Sequence, residues 1–194
     1  MRFSEDRIEK LTCSDGVQRD IHIWEPGKVR AVFLTVHGGM DHGGNYMNPA
    51  LYLKKKGFAT VAHDQHGHDK KRKVYIPRFE VFLDDLELML EWVKGNYPEL
   101  PIFILSHSMG GLIITHFGIR RFAGDPLVRG FVTSSPYYVN AIHTPKIVEK
   151  LAGLLSALFP KMTVPIEDIL MHLSLIHISE PTRQVLVSRM PSSA

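Results

Sequence analysis

The stretch that most constrains this chain runs from Ile102 to Thr115, Ile-Phe-Ile-Leu-Ser-His-Ser-Met-Gly-Gly-Leu-Ile-Ile-Thr. Ile102 to Leu105 has the length and β-branched content of a buried strand. A small-x-Ser-x-Gly turn, Ser106 to Gly110, follows, and the apolar run Leu112 to Phe117 then opens with helical spacing. Strand, tight turn and helix are the setting of a nucleophile elbow. Ser106 and Gly110 must be small because the chain folds back sharply between them. Ser108 is then expected at the tip of the sheet with its hydroxyl exposed, as the candidate nucleophile. The backbone N–H of Met109, opening the helix, would face an oxyanion formed on a substrate. An ordinary strand-to-helix turn that holds a serine by chance fits the same string.

The rest of the chain supplies alternating strands and helices. Residues 17 to 25 alternate like a half-exposed strand, ended by Pro26-Gly27, and Ala31 to Val36 reads as a more buried one. It runs into a glycine-rich loop, His37 to Gly44, which lets backbone approach a ligand or simply connects two elements. Asn45 to Lys56 reads as a helix with Leu51 and Leu53 inward, stopped by Gly57. Phe58 to Ala62 is a third strand, and Phe79 to Lys94 an amphipathic helix with Phe82, Leu86, Met89, Leu90 and Val93 on one face. After the elbow, Arg129 to Thr133 is a fifth strand. Such alternation predicts a mostly parallel α/β sheet flanked by helices, with ligands at the carboxyl ends of its strands. Ser108 and both histidine- and glycine-bearing loops fall at those ends.

At 194 residues, with 44% hydrophobic and 22% charged content, the chain has the composition of one soluble globular domain. A net charge of +3 is too small to argue for nucleic acid. The lone Cys13 excludes an internal disulfide. No signal peptide or membrane span is legible, so a soluble cytoplasmic protein is expected.

Taken in order, Val36-His37-Gly38-Gly39 with Asp41-His42, His63-Asp64-Gln65-His66-Gly67-His68, Phe82 to Leu86, Ser106 to Gly111 and Gly130 to Pro136 resemble the monoacylglycerol lipase and lysophospholipase branch of the α/β-hydrolases. That branch includes serine aminopeptidase-like members, and the resemblance covers roughly residues 15 to 168. It implies the N-terminal part of an α/β-hydrolase fold, with Ser108 as nucleophile. The backbone N–H groups of Gly39 and Met109 are implied as the oxyanion hole. Two positions depart from the pattern: Ser106 replaces a glycine, and Asp69 with Lys70 to Lys73 replaces a second glycine and a serine-bearing loop.

The implied chemistry is acyl transfer from a lipid ester, a monoacylglycerol or lysophospholipid, by a Ser-His-Asp mechanism. A peptidase or small-ester hydrolase of the same fold, or a non-catalytic binding protein, are the alternatives. In this fold the acid and the histidine follow the serine along the chain. No strand-end acid followed by a histidine loop is legible after Pro136. Ala141 to Pro160 instead carries Ile147, Leu151, Leu154, Leu155 and Leu158 at helical spacing. This is a core-packing helix or, by resemblance, the start of a cap over the acyl pocket, whose apolar face would dip into a membrane surface. Ser174 to Arg183 resembles a translated sequencing-adapter read-through. The expected layout is therefore a hydrolase core over residues 1–140, the start of a helical cap over 141–170 and a non-native tail over 171–194. A chain so truncated lacks the triad's acid and histidine and is expected to fold poorly and to be inactive.

His66-Gly67-His68-Asp69 invites a metal reading, but Lys70 stands where a fuller metallo-hydrolase pattern needs another histidine. No metal and no cofactor are expected. His107 is expected to point away from the nucleophile, and neither His172 nor His177 has an aspartate placed to orient it as a base. Lys54 to Lys56 and Lys70 to Lys73 read as solvated faces or as contacts for anionic lipid headgroups. Asp84 and Asp85, on the long helix, are expected to cap or pair.

Overall fold

The structure, a computed structural model, describes residues 4–68, 75–139 and 146–159. The chain divides into two compact units, Met1–His143 and Thr144–Ala194.

In the first unit six strands form one sheet. They are β1 (Arg7–Thr12), β2 (Gln18–Trp24), β3 (Ala31–Val36), β4 (Phe58–His63), β5 (Ile102–His107) and β6 (Val128–Ser134). The order across the sheet is β1-β2-β4-β3-β5-β6. β1 and β2 are antiparallel to each other, and β2 is antiparallel to β4; β4, β3, β5 and β6 run parallel. β3 and β4 are buried along nearly their whole length. Parallel strands covered on both faces read as continuous apolar runs, which is why their sequences announce them. β1 was not expected. Its residues Arg-Ile-Glu-Lys-Leu-Thr alternate between exposed and half-buried, and charge on an edge strand guards it against pairing with other chains.

Helices cover both faces. On one side lie α2 (Glu80–Asn96) and α3 (Met109–Arg120). Phe82, Leu86, Met89, Leu90 and Val93 of α2 are all buried there, against Val32, Leu34, Val36, Ile102 and Ile104 of the sheet. On the other side a short 3-10 turn, Gly43–Tyr46, leads into α1 (Met47–Lys55). Here Tyr46 and Ala50 pack on Trp24 and Ala62, with Leu51 and Leu105 beside them. The helix expected from Asn45 therefore begins two residues later; Leu51 packs inward as expected, while Ala50 is its fully buried residue.

The two aspartates of α2 pair, as expected. Asp85 accepts from the Ser14 N–H at 2.8 Å and the Ser14 hydroxyl at 2.6 Å, tying the β1–β2 turn to the helix. Asp84 accepts from Arg121 at 2.6 Å and Arg78 at 3.1 Å.

In the second unit the described part is α4 (Lys146–Leu158). Its apolar residues Ile147, Leu151, Leu154, Leu155 and Leu158 are exposed. Among the described residues no helix is long and apolar enough to cross a membrane.

Candidate active site

β5 ends at His107 and α3 begins at Met109, so Ser108 alone makes the turn between them. Its backbone stands at φ 51° and ψ −117°, a region that L residues occupy only when the surroundings hold them there. Three contacts do so. The Ser108 N–H donates to the Ser134 carbonyl at 3.0 Å, and the Ser108 carbonyl accepts from the N–H groups of Gly111 at 2.9 Å and Tyr137 at 3.0 Å. The residues after β6 thus wrap the elbow, a support that the local sequence does not signal.

The glycines are there for room. A Cβ on Gly110 would stand 2.7 Å from the His37 carbonyl oxygen, and one on Gly111 would stand 2.6 Å from Pro136 Cβ. Ser106, where a glycine is usual, fits: it is fully buried and its hydroxyl donates to the Val132 carbonyl at 3.3 Å.

The loop after β3 meets this turn. A Cβ on Gly38 would lie 3.2 Å from Ser108 Cβ, and one on Gly39 would lie 3.8 Å from Met109 Sδ. Gly39, Ser108 and Met109 are therefore brought together, with Gly38 buried behind them and Gly39 exposed. Met109 is the first residue of α3, and N–H groups in a first helical turn have no partner within the helix.

His37 locks the loop from behind. Its Nδ1–H donates to the Gly38 carbonyl at 2.7 Å, and its Nε2 accepts from the Gln65 N–H at 3.0 Å. Gln65 returns a side-chain bond to the His37 carbonyl at 2.5 Å. One nitrogen donates and the other accepts, so the ring is neutral. Burial pushes its pKa down to about 4. At the loop's other end Asp64 accepts from the Gly43 N–H at 2.8 Å. Burial works against the Asp64 charge, but hydrogen bonds from His22 and Gly43 hold its pKa below the usual carboxylate value.

His66 does not present a metal ligand set. Its Nδ1 lies 3.1 Å from the Arg19 guanidinium, which donates, and Arg19 also grips Asp15 at 2.6 and 2.9 Å. The Arg19 hydrogen bond leads in holding Asp15 down to about 2. His68 bonds through Nδ1 to the His66 carbonyl at 2.9 Å, while Asp69, Lys70 to Lys73, His172 and His177 lie outside the described residues. Elsewhere His22, His42 and Asp64 bring ligand atoms within 4.8 Å of one another. Both His22 nitrogens, however, face carboxylate oxygens, an arrangement that an ion-paired cluster satisfies without a metal.

A partly open recess of about 330 Å³ adjoins the elbow on the α1 side, lined by Asp41, Asn45, Tyr46, Leu105, His107 and Ser134 among others. His107 is exposed there. Among the described residues no histidine or carboxylate hydrogen-bonds the Ser108 hydroxyl.

A parallel sheet with a strained serine at the strand–helix turn, facing a glycine loop from the neighbouring strand, is the arrangement of the α/β-hydrolases. The fold agrees with that of a soluble variant of monoglyceride lipase from Saccharomyces cerevisiae in complex with a substrate analog, at a TM-score of 0.65 and 21% identity, covering 86% of this chain and 58% of that one. Within this class the chain belongs to the serine aminopeptidase, S33 family, whose sequence model matches residues 27–193. It is 31% identical to the monoglyceride lipase of Mus musculus over 163 residues, 81% of this chain and 52% of that protein. It is 27% identical to the monoacylglycerol lipase of Mycolicibacterium smegmatis over 157 residues, 79% of this chain and 54% of that protein. The chain spans about half the length of these curated relatives, and the family match runs past residue 168, where the motif resemblance ends.

Proposed function

We propose that this chain carries the nucleophile half of a serine hydrolase acting on lipid acyl esters, a monoacylglycerol or a lysophospholipid. Ser108 attacks the ester carbonyl, forming the Oγ–acyl bond as the alcohol leaves, and water then releases the acid. The N–H groups of Gly39 and Met109 receive the oxyanion. The histidine that takes the Ser108 proton and the carboxylate that orients it follow later in the chain order of this fold. Residues 141–170 are the start of a cap whose apolar helix α4 meets the lipid surface, and 171–194 are a non-native tail. The observation that carries the reading is the Ser108 backbone, held at φ 51° directly against Gly38 and Met109.

A second reading, a peptidase of the same fold, is favoured by the family's name. A non-catalytic binding role is favoured by the absence, among the described residues, of a partner on the Ser108 hydroxyl. One experiment separates all three. The source transcript is resequenced across the codons for Asp168 to Arg183, and the product of the reading frame so established is assayed on a monoacylglycerol, a lysophospholipid and an aminoacyl arylamide. Turnover of the lipid esters that vanishes in Ser108→Ala supports the proposal. Preference for the arylamide makes it a peptidase, and a confirmed tail with no turnover leaves only binding.

A further inference from the structure

Outside the elbow, one side chain joins three segments that lie far apart in sequence. His22 of β2 is buried, its ring stacked on Trp24 with centroids 6.2 Å apart and planes inclined by 18°. Its Nδ1 lies 2.9 Å from Glu5 Oε1, and its Nε2 lies 3.3 Å from Asp64 Oδ1. Ionised carboxylates only accept, so an imidazolium, with a proton on each ring nitrogen, is the form that satisfies both contacts. The same Asp64 oxygen takes the Gly43 N–H. A Cβ on Gly43 would stand 2.8 Å from His22 Cδ2 and 3.2 Å from the Ala62 carbonyl carbon. The loop backbone therefore rests directly on the ring.

We propose that His22 is a positioning residue for the glycine loop: shared between Glu5 and Asp64, it holds the Asp64 carboxylate on the Gly43 N–H and so fixes the far end of the segment that carries Gly39. That this loop serves an oxyanion rests on the acyl-transfer reading above; the clamp itself does not. Facing His22 are Glu5 from the segment before β1, Asp64 and the neutral His63 from the end of β4, and His42 from the loop, its ring 6.1 Å away. From α1 and the turn before it come Tyr46, Met47, Ala50 and Leu51, which pack on the Trp24 cluster and bring no charge; Ile8 of β1 is its strand partner. Burial alone would lower the His22 pKa, but the hydrogen bonds and charges of Asp64 and Glu5 raise it above the ordinary value. The clamp is thus complete while Glu5 and Asp64 are ionised and His22 keeps its second proton, and it opens as pH rises through that raised value, when a carboxylate is left facing a bare ring nitrogen.

Nitrogen-15 NMR of the His22 ring and of the Gly43 amide in the full chain tests this without any substrate. His22 is expected doubly protonated at about pH 6.5, its midpoint above that of a free histidine. The Gly43 amide should titrate with it and lose about tenfold in exchange protection as the clamp opens. His22→Arg, with two permanent donors, should keep the protection and remove the pH dependence, whereas His22→Gln should lose the protection throughout. Glu5→Gln should lower the midpoint, and with His22→Arg it carries the test if His22→Gln does not fold. A singly protonated His22 at that pH, or a Gly43 titration that persists in His22→Arg, would overturn the clamp. Neither result depends on ester turnover, so the clamp and the role of Ser108 stand or fall separately.

Discussion

Gly110 lies under the end of β3 so closely that a Cβ there would stand 2.7 Å from the carbonyl oxygen of His37. This contact is backbone against backbone, and neither side can rotate away. The start of α3 and the glycine loop are therefore held at one spacing, and Gly39 and Met109 with them. Gly110→Ala should cost about 3 kcal/mol or more, at the upper end of overpacking changes. Gly118 lies in the same helix with nothing within 4 Å of a Cβ. Gly118→Ala should stabilise by about 0.5–1 kcal/mol. Urea midpoints of the two variants measured side by side decide the matter, and equal midpoints would rule out the close approach.

The strain at Ser108 makes the opposite kind of prediction. Glycine occupies φ 51°, ψ −117° without the side-chain penalty, so Ser108→Gly should raise stability by about 1 kcal/mol. On the acyl-transfer reading it should also remove turnover from the product of the re-established reading frame, a loss on the order of 10⁴-fold or more in kcat. A variant that is both more stable and inactive marks strain kept for chemistry. One that is less stable would mean that the turn is held by the hydroxyl rather than by the backbone bonds to Ser134, Gly111 and Tyr137.

The parts of this architecture that were legible in the sequence are those where one local pattern serves one purpose. Ile102 to Leu105 is apolar because one face of β5 is buried and the other half-buried, and Gly110 and Gly111 are small because β3 and Pro136 leave no space. β1 escaped because its charged residues satisfy an edge and carry no apolar run. The His22 clamp escaped for a different reason. Glu5, His22, Gly43 and Asp64 lie on four separate segments, and the pairing of β2 with β1 on one side and β4 on the other brings them together. No spacing rule within a window reports such a group. The wrap of Ser134 to Tyr137 over the elbow is likewise a tertiary event, fixed by β6 lying beside β5.

Two buried histidines should make the fold acid-labile before its carboxylates titrate. Burial holds His37 and His63 down to about 4, from an ordinary 6.5. Unfolded chains bind more protons than the folded one between these values, so stability is fully present above about pH 6.5 and is lost as pH falls toward 4. The loss is at most about 3 kcal/mol for each ring. His22 acts in the opposite sense: its raised pKa gives stability that is present below the ordinary value and lost as pH rises through the folded one. Stability should therefore peak near neutral pH. His37→Asn should lower stability at pH 7, because the Gly38 and Gln65 contacts suffer, and should flatten the fall between pH 6.5 and 4. Denaturation midpoints at pH 7 and 5 measure both effects, and an unchanged slope would show that His37 is not the group that titrates.

Cys13 offers a probe of how the N-terminal hairpin is anchored. The thiol is 4% exposed, and burial, the main cause, holds it up to about 11. The attacking species is the thiolate, so a disulfide reagent at pH 8 should label it only through opening of the structure. The neighbouring turn is tied to α2 by the two Ser14 bonds to Asp85, which is itself buried beside Arg19 at 3.7 Å. Asp85→Ala removes both bonds and leaves the buried guanidinium with Asp15 and His66 only, at a cost of about 3 kcal/mol. Labelling of Cys13 should then run about 100-fold faster than in the parent chain. If the rate does not change, the hairpin opens by a route that leaves the Asp85 contacts intact, and the anchor lies elsewhere on β2. If labelling is immediate in both, Cys13 is not enclosed by this packing at all.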